Sequence, residues 1–350
     1  MKKTLCILKS FLHDSSSLIM SSLLLLLLSS CHNNDVHKAK LQIKCDNMQP
    51  QEIKIKNYSK ALFSLDTANF AEGLKMIQKD YHVFLNGDID NPKVVSYLKD
   101  FVTDTFCIRI NAMAEKKFSD TKQLAKDIKS VCQHFHYYYP EVRLPEETYV
   151  YVSGIDYEIP PVMVYDEGIL VSCDYYLGND DNIYDYIGMP RFRSMRCQPA
   201  YISRDLAESI YSSYVNIDRR QKDVLTEMVN IGKKLYFIEA MNPAMHDSVL
   251  MGYSSKQIQW AENYEADVWA SIVGNNMLYS NSMDAFRTFF GDAPFTQAFS
   301  NEAPARLGEY IGLQIIRSYM TNNDVSLRDM MDDKDVQRIF QMSQYKPRKK

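Results

Sequence analysis

Near its carboxyl end the chain reads Glu302-Ala-Pro-Ala-Arg-Leu-Gly-Glu-Tyr-Ile-Gly-Leu-Gln-Ile-Ile-Arg-Ser-Tyr-Met320, a polar start followed by an apolar run. The apolar run predicts a helix. Gly308 and Gly312 are four residues apart, so they lie on one face of that helix. Glycine places no side chain between two backbones, so this face permits close approach of another helix. We therefore expect a helix packed closely into a largely helical core.

Further helical patterns occupy much of the chain. Between Leu62 and Phe84, apolar residues recur at spacings of 7, 4, 3, 4 and 3, which is typical of one face of a helix or a helix pair. The other helical segments predicted from apolar spacing are Pro92–Thr105, Ser119–His134, the stripe Leu206, Ile210 and Tyr214, and Val224–Ile238.

The period changes in the middle of the chain. Residues Thr148–Ser153 are rich in β-branched and aromatic side chains and predict a strand. Residues Val162–Tyr165 and Ile169–Ser172 flank the turn sequence Asp166-Glu-Gly168 and predict a hairpin. The fold class expected from these patterns is α+β, mainly helical, with a small β-sheet.

Composition sets the class of molecule. The chain has 350 residues, of which 46% are hydrophobic, and only 12 Gly and 12 Pro. These values favour a packed globular body and exclude collagen-like and low-complexity chains. The net charge is −4. No nucleic-acid partner is expected, because nucleic acid requires a basic face.

The amino-terminal residues resemble an export signal. Lys2, Lys3 and Lys9 form a positive start, and the leucine-rich stretch Leu23–Leu28 follows. Six leucines are too short to cross a hydrocarbon layer about 30 Å thick, so the pattern favours a signal peptide over a permanent membrane helix. Leu28-Ser-Ser-Cys31 then resembles a bacterial lipobox, which implies that Cys31 is lipidated.

These features predict the organisation and the location of the protein. The expected parts are a lipoprotein signal peptide over 1–30, a polar tether over 31–55, a single globular domain over 56–345 and a basic tail over 346–350. Several acyl chains on Cys31 would hold the protein stably in a membrane. We expect the body to face the periplasm, on either the inner or the outer membrane.

The remaining cysteines do not form a disulfide framework. Of the seven cysteines, Cys6 lies in the predicted signal peptide and Cys31 is the predicted lipid site, which leaves five. An exported protein can form disulfides, but five is an odd number and no two of them form a CxxC pair. Most are expected to be buried thiols, which behave as small apolar side chains. They are Cys45, Cys107, Cys132, Cys173 and Cys197.

The familiar catalytic and cofactor motifs are absent from the sequence. It holds no HExxH, GxSxG, GxGxxG or Walker loop, and no cofactor is expected. His134 and His136 are two residues apart, so on a helix they point to different faces, whereas at a helix end they could share a ligand. Zinc needs three or four ligands, and no metal site is predicted.

Charged residues in the later helices suggest a polar cleft. Glu262 and Glu265 are one helical turn apart, and Arg306 is placed to pair with Glu302 or Glu309. Two interpretations stay open: a functional cleft between helices, or a structural ion-pair network, which we favour. The candidate cleft residues are Asp205, Glu208, Glu262, Glu265, Glu302 and Arg306.

The ordered motifs resemble those of the gliding-motility lipoprotein GldB family of Bacteroidetes. The resemblance covers about Phe63 to Pro347. It is carried by Ala293-Pro-Phe-Thr296, Glu302–Gly308, Gly312–Met320, Asp174-Tyr-Tyr-Leu-Gly178, Gly232-Lys-Lys-Leu-Tyr-Phe237, Gly252-Tyr253, Trp260 with Glu265 and Trp269, and Tyr345-Lys-Pro347. It implies a cell-envelope lipoprotein associated with gliding motility and surface-protein secretion, with envelope proteins as partners.

A more distant similarity links the layout to predicted zinc proteases of zincin-like fold. In that comparison Ile231 stands where a carboxylate ligand would be needed, and an aliphatic side chain cannot bind zinc. The region Tyr201–Tyr214 offers Arg204, Asp205 and Glu208 but no histidine. The resemblance therefore implies a zincin-like body that has lost its metal site.

Three functions follow as hypotheses. The first is a non-enzymatic, lipid-anchored envelope protein that binds a partner. The second is an envelope peptidase or cell-wall hydrolase using Glu262, Glu265 or Glu302 as general acid or base, which requires a raised carboxyl pKa. The third is a glycan- or peptide-binding module with exposed tyrosines.

Overall fold

The computed structural model describes residues 33–43, 52–178, 182–215 and 223–348. The chain divides into two compact units, residues 1–43 and residues 44–350. In the first unit, helix α1 (Asn33–Leu41) lies within the segment predicted as a tether. The predicted signal peptide, Cys31 and the last two lysines lie outside the described residues.

The second unit is mainly helical with one small sheet, as the sequence predicts. Its strands are β1 (Lys54–Asn57), β2 (Glu147–Tyr151), β3 (Val162–Tyr165) and β4 (Gly168–Ser172). Its helices are α2 (Tyr58–Phe63), α3 (Phe70–Gln78), α4 (Pro92–Thr103), α5 (Thr105–Lys117), α6 (Lys122–Tyr138), α7 (Ile183–Tyr186), α8 (Arg191–Ser194), α9 (Ile202–Tyr214), α10 (Val224–Met241), α11 (Asp247–Met251), α12 (Ser255–Asn263), α13 (Glu265–Gly274), α14 (Met283–Phe290), α15 (Leu307–Asn322), α16 (Leu327–Asp332) and α17 (Val336–Ser343).

The sheet has the strand order β1-β2-β4-β3. β1 and β2 are parallel, β2 and β4 are parallel, and β3 runs antiparallel to β4 with Val162 opposite Val171. The predicted hairpin is confirmed. Every residue of β4 is buried, as expected for a strand covered on both faces.

Helix α9 fixes the edge of this sheet. Ser209 Oγ accepts a hydrogen bond from Val164 N of β3 at 3.1 Å. The predicted apolar stripe of α9 is buried at Leu206 and Ile210. The helix therefore faces the sheet with its apolar side, and its polar residues Arg204, Asp205 and Glu208 reach the neighbouring helices.

The centre of the helical layer is the pair α10 and α15, where two glycines allow backbone contact. A Cβ atom on Gly232 would overlap the carbonyl of Gly312, and a Cβ on Gly312 would overlap the carbonyl of Met228. Gly308 is likewise close to α14, since its Cβ would lie 2.9 Å from Phe289 O. The close packing expected at Gly308 and Gly312 is confirmed.

The helical residues of the region Leu62–Phe84 belong to two helices, α2 and α3, which is the second of the two arrangements predicted from its apolar spacing. The break follows from Asp66, whose side chain accepts hydrogen bonds from Ala68 N at 2.9 Å and from Asn69 Nδ2 at 2.8 Å. Aspartate commonly ends a helix by such local bonding. Tyr58 stacks on Phe84 with ring centroids 4.1 Å apart, and this contact closes the small core beneath α2 and α3.

A buried carboxylate anchors the loop that leaves β2. Asp174 is fully buried and accepts hydrogen bonds from Ser153 N at 2.9 Å, Ile155 N at 2.7 Å and Ser172 Oγ at 2.7 Å. Burial raises its pKa, and these donors partly offset that effect. Ile155 has a φ of 58°, a conformation that a β-branched residue adopts only when its surroundings hold it there.

Two further sequence predictions concern cysteines and membrane segments. Cys107, Cys132, Cys173 and Cys197 are buried free thiols, as predicted, and Cys45 lies outside the described residues. None of the helices in the described part of the chain combines the length and the hydropathy that a membrane crossing requires.

Candidate functional site

The turn that joins α11 to α12 is the meeting point of three arginines. Arg204 Nε donates to Leu250 O at 3.0 Å, and Arg306 Nη2 donates to Met251 O at 2.7 Å. Gly252 has a φ of 66°, and a Cβ there would lie 3.0 Å from Arg196 Nε. Glycine at this position thus provides both the left-handed turn and the space for the guanidinium groups.

The carboxylates of α9 neutralise one side of this cluster. Arg204 Nη1 donates to Asp205 Oδ1 at 2.9 Å and to Glu208 Oε2 at 2.8 Å. Lys234 Nζ of α10 donates to Glu208 Oε1 at 2.8 Å, and Tyr176 Oη donates to Asp205 Oδ2 at 2.7 Å. Every one of these groups has a partner of complementary charge or hydrogen-bonding capacity.

The pKa shifts of the two carboxyl groups differ in sign. Burial alone would raise the pKa of Glu208, but Arg204 and Lys234 outweigh it and hold this pKa well below its usual range. Burial raises the pKa of Asp205, and the bonds from Arg204 and Tyr176 offset only part of the rise. Glu208 is therefore fixed as a carboxylate, which is unsuited to donating a proton at neutral pH.

Arg306 forms the other side of the cluster. It has a φ of 58° and immediately precedes α15. Its guanidinium contacts Glu309 Oε2 at 3.2 Å and Asp292 Oδ1 at 3.4 Å, and Arg196 Nη2 also reaches Asp292 Oδ1 at 2.7 Å. The ring of Tyr253 lies 5.5 Å from the guanidinium, within the range of a cation–π contact.

The structure brings together only part of the predicted cleft. Asp205, Glu208 and Arg306 belong to the cluster just described. We call this cluster the arginine network; its members are Arg196, Arg204, Asp205, Glu208, Asp292, Arg306 and Glu309. Glu262 is half-buried near the end of α12, and Glu302 is exposed in the loop before α15. Arg306 pairs with Glu309, one of its two predicted partners.

Glu265 anchors the end of the chain. Its side chain is buried and accepts hydrogen bonds from Tyr310 Oη at 3.2 Å, Tyr345 Oη at 2.9 Å and Arg348 N at 3.3 Å. Burial raises its pKa, and the tyrosine donors partly offset the rise. The carboxyl group thus ties the carboxyl-terminal segment to α13 and α15.

A second buried ion pair was missed by the sequence analysis. Arg317 of α15 donates through Nε and Nη2 to Glu239 of α10 at 3.0 and 2.7 Å, and through Nη1 to Asp247 Oδ2 at 2.8 Å. The signal that could have revealed it is one charge within a largely apolar run of each helix, Glu239 in 235–241 and Arg317 in 311–320, because buried charges are almost always paired.

The buried side chain of Lys233 predicts how the free energy of unfolding depends on pH. Its side chain is buried and its Nζ donates to Asp333 O and to Met331 O, the latter at 3.5 Å. Burial lowers its pKa to about 8. An unfolded lysine titrates near pH ~10.4. Between these values the unfolded chain binds the extra proton, so this residue's contribution to stability rises with pH.

The expected result has two parts. An NMR titration of lysine Cε signals should show one group with a midpoint near pH 8, and this signal should be missing in Lys233→Met. The unfolding free energy of the wild type minus that of the variant should increase from pH 8 to about pH 10. A midpoint above about pH 10 for every lysine would contradict the prediction.

His134 and His136 of α6 lie in different environments. His134 Nδ1 lies 2.8 Å from Ser130 O of its own helix, and burial lowers its pKa. His136 is exposed on a different face of α6. Among the described residues no group of three or more His, Cys, Asp or Glu side chains is placed to hold a metal ion.

A groove lies beside the arginine network. Its volume is about 430 Å³, and its lining includes Gly291 and Ala293, the two neighbours of Asp292, together with Arg287, Phe295 and Thr296. Phe295 is 37% exposed, and Thr296 Oγ1 donates to Pro304 O at 2.7 Å. The network therefore fixes the loop that forms one wall of this open surface.

Comparison with known proteins gives one clear relationship. No curated protein and no solved structure matches the chain. Residues 38–347 match the family described as gliding motility protein GldB. That range includes the whole arginine network, the Glu265 cluster and the groove. The chain belongs to the gliding motility protein GldB family.

Proposed function

We propose that this protein is a lipid-anchored component of the cell envelope that supports gliding motility or surface-protein secretion by binding a partner protein. The family supports an association with gliding motility. The amino-terminal sequence supports the anchor, because a positive start, a leucine-rich stretch and Leu28-Ser-Ser-Cys31 occur in that order. The zincin-like body and the loss of its metal site stay predictions from the sequence.

The bonding of the carboxylates carries the non-enzymatic part of the proposal. A general acid or base must be free to exchange a proton with substrate. Glu208 is bonded to two cations and Asp205 to a cation and a phenol. Glu309 is paired with Arg306. These groups stabilise the packing of helices, and their arrangement suits a rigid body better than a reaction centre.

The groove beside Asp292 supports binding of a partner. It is open, and its lining combines the cation Arg287 with the half-exposed ring of Phe295. The loop that forms one wall is held by the contact between Asp292 and Arg306 of the arginine network. Aromatic and arginine side chains are enriched where proteins bind one another. A surface loop held by buried ion pairs also loses little freedom on binding.

A hydrolase remains the second candidate, and Glu265 is the observation that favours it. Burial raises the pKa of this carboxyl group, as a general acid requires. Its two tyrosine partners, however, both belong to the packing between α15 and the carboxyl-terminal segment. The anchoring role explains these contacts without a substrate.

Complementation in cells that lack the protein tests both candidates. The proposal predicts that Cys31→Ser fails to restore spreading and surface secretion and is recovered in the soluble periplasmic fraction. It also predicts that Glu265→Gln combined with Glu302→Gln restores both readouts, since neither carboxylate performs chemistry.

The control for the anchor is Cys45→Ser, a nearby cysteine that should leave location and complementation unchanged. A double glutamine variant that accumulates at the wild-type level and still fails to complement would support the hydrolase instead. A Cys31→Ser protein that stays in the membrane fraction would contradict the anchor.

A further inference from the structure

A small cleft lies between β2, α5 and the start of α2. Its interior has a volume of about 10 Å³, enough for one group the size of a water molecule, and the whole opening including its mouth is about 220 Å³. Val150, Val152 and Ala114 provide buried apolar walls. Glu115 and Phe118, both more exposed, also line it.

One side chain in this cleft has an unused acceptor. Asn111 is only 8% exposed, and its Oδ1 has no hydrogen-bond partner among the described residues. Its Nδ2 faces Glu115 Oε1 at 3.5 Å. A carboxylate cannot donate a hydrogen bond, so this contact fixes the amide orientation and leaves the oxygen as the free atom. A buried oxygen of this kind favours a donor.

The negative charge of Glu115 indicates that the donor for Asn111 Oδ1 is a cation. Glu115 forms no ion pair within the described residues, and the only contact to its carboxylate there is the long one from Asn111. Asn111 Oδ1 and the Glu115 carboxylate therefore line one cleft, and neither has a cationic partner among the described residues. The rings of Phe118 and Tyr151 also line the opening and can favour a positive charge.

We propose that this cleft binds a primary ammonium group, such as the side chain of a lysine from another molecule. An ammonium is compact and carries three donors, which suits Asn111 Oδ1 and the Glu115 carboxylate. The ammonium alone would occupy the interior beside the buried apolar walls, and the methylene stem of the lysine would leave through the wider mouth, past Phe118. This site is distinct from the groove beside Asp292, and it does not depend on the proposed anchor or partner.

Titration of the full mature protein in detergent with N-acetyl-lysine methylamide tests the inference. Saturable binding is expected, whereas N-acetyl-norleucine methylamide, which has a similar apolar stem but no ammonium, should not bind. Glu115→Gln should weaken binding about fivefold, the size expected for loss of one partly exposed charge. Glu167→Gln, on the exposed turn between β3 and β4, should leave binding unchanged.

The variant Asn111→Leu separates binding from structure. Replacing an unpartnered buried amide with an apolar side chain of similar shape should leave the protein at least as stable, while abolishing binding. Equal binding of the norleucine probe, or unchanged lysine affinity in Asn111→Leu, would overturn the proposal. A crystal soaked in the lysine probe that shows an ordered water at Asn111 Oδ1, and no probe there, would also overturn it. Equal affinity for glycine methylamide would support an ammonium site that also accepts chain termini.

Discussion

Gly312→Ala is expected to lower the unfolding free energy by more than about 3 kcal/mol, because overpacking against rigid structure exceeds the usual cost of an added methyl group. The new Cβ would overlap the carbonyl of Met228 in α10, and backbone cannot rotate aside as a side chain can. The intrinsic gain from alanine in a helix is only about 1 kcal/mol. Urea denaturation followed by circular dichroism measures the difference.

Gly274→Ala is the matched control. Gly274 is the last residue of α13, and a Cβ there would meet nothing within 4 Å. The same substitution should therefore be neutral or stabilise by up to about 1 kcal/mol. If both variants unfold at the same urea concentration, the close contact between α10 and α15 is not a determinant of stability.

Arg317→Met is expected to cost about 3–5 kcal/mol, the range found when one partner of a buried ion pair is removed. The side chain of Arg317 is 6% exposed and that of Glu239 is 1% exposed. The variant removes both bonds between the guanidinium and Glu239 and leaves a negative charge in an apolar layer. Replacing Glu239 with Gln in the same chain should recover part of the loss, because it removes that charge.

Arg143→Met is the control for this second prediction. Arg143 pairs with Glu146 at 2.7 Å, but its side chain is 86% exposed. Such a pair contributes at most about 1 kcal/mol, so the variant should be nearly as stable as the wild type. Equal losses at Arg143 and Arg317 would show that burial does not set the importance of these ion pairs.

The fold could be predicted where the signal is local. Apolar spacing alone predicts helices α10 and α15. The turn residues between β3 and β4 predict the hairpin. Strand β1 was missed because it has four residues and pairs with β2, whose residues are about 90 positions further on. Its Lys-Ile-Lys-Asn sequence carries no pattern that indicates a partner so far along the chain.

The candidate site was predicted in part, and the failures have one cause. The predicted pairing of Glu302 with Arg306 assumes a continuous helix, but Arg306 is in the left-handed conformation and α15 begins at Leu307. Glu262 and Glu265 are likewise divided by the break at Tyr264 between α12 and α13. Helical spacing relates two charges only when one helix holds both.

Strand β1 also determines how the body would respond to mechanical load. Among the described residues it is the first element of the second unit, and it lies at an edge of the sheet with β2 as its one partner strand there. A pulling force on the amino-terminal side reaches the sheet at Lys54, where the strand is four residues long. Because β1 is short and at an edge, we expect it to separate from the sheet under such a force before the closely packed α10 and α15 separate.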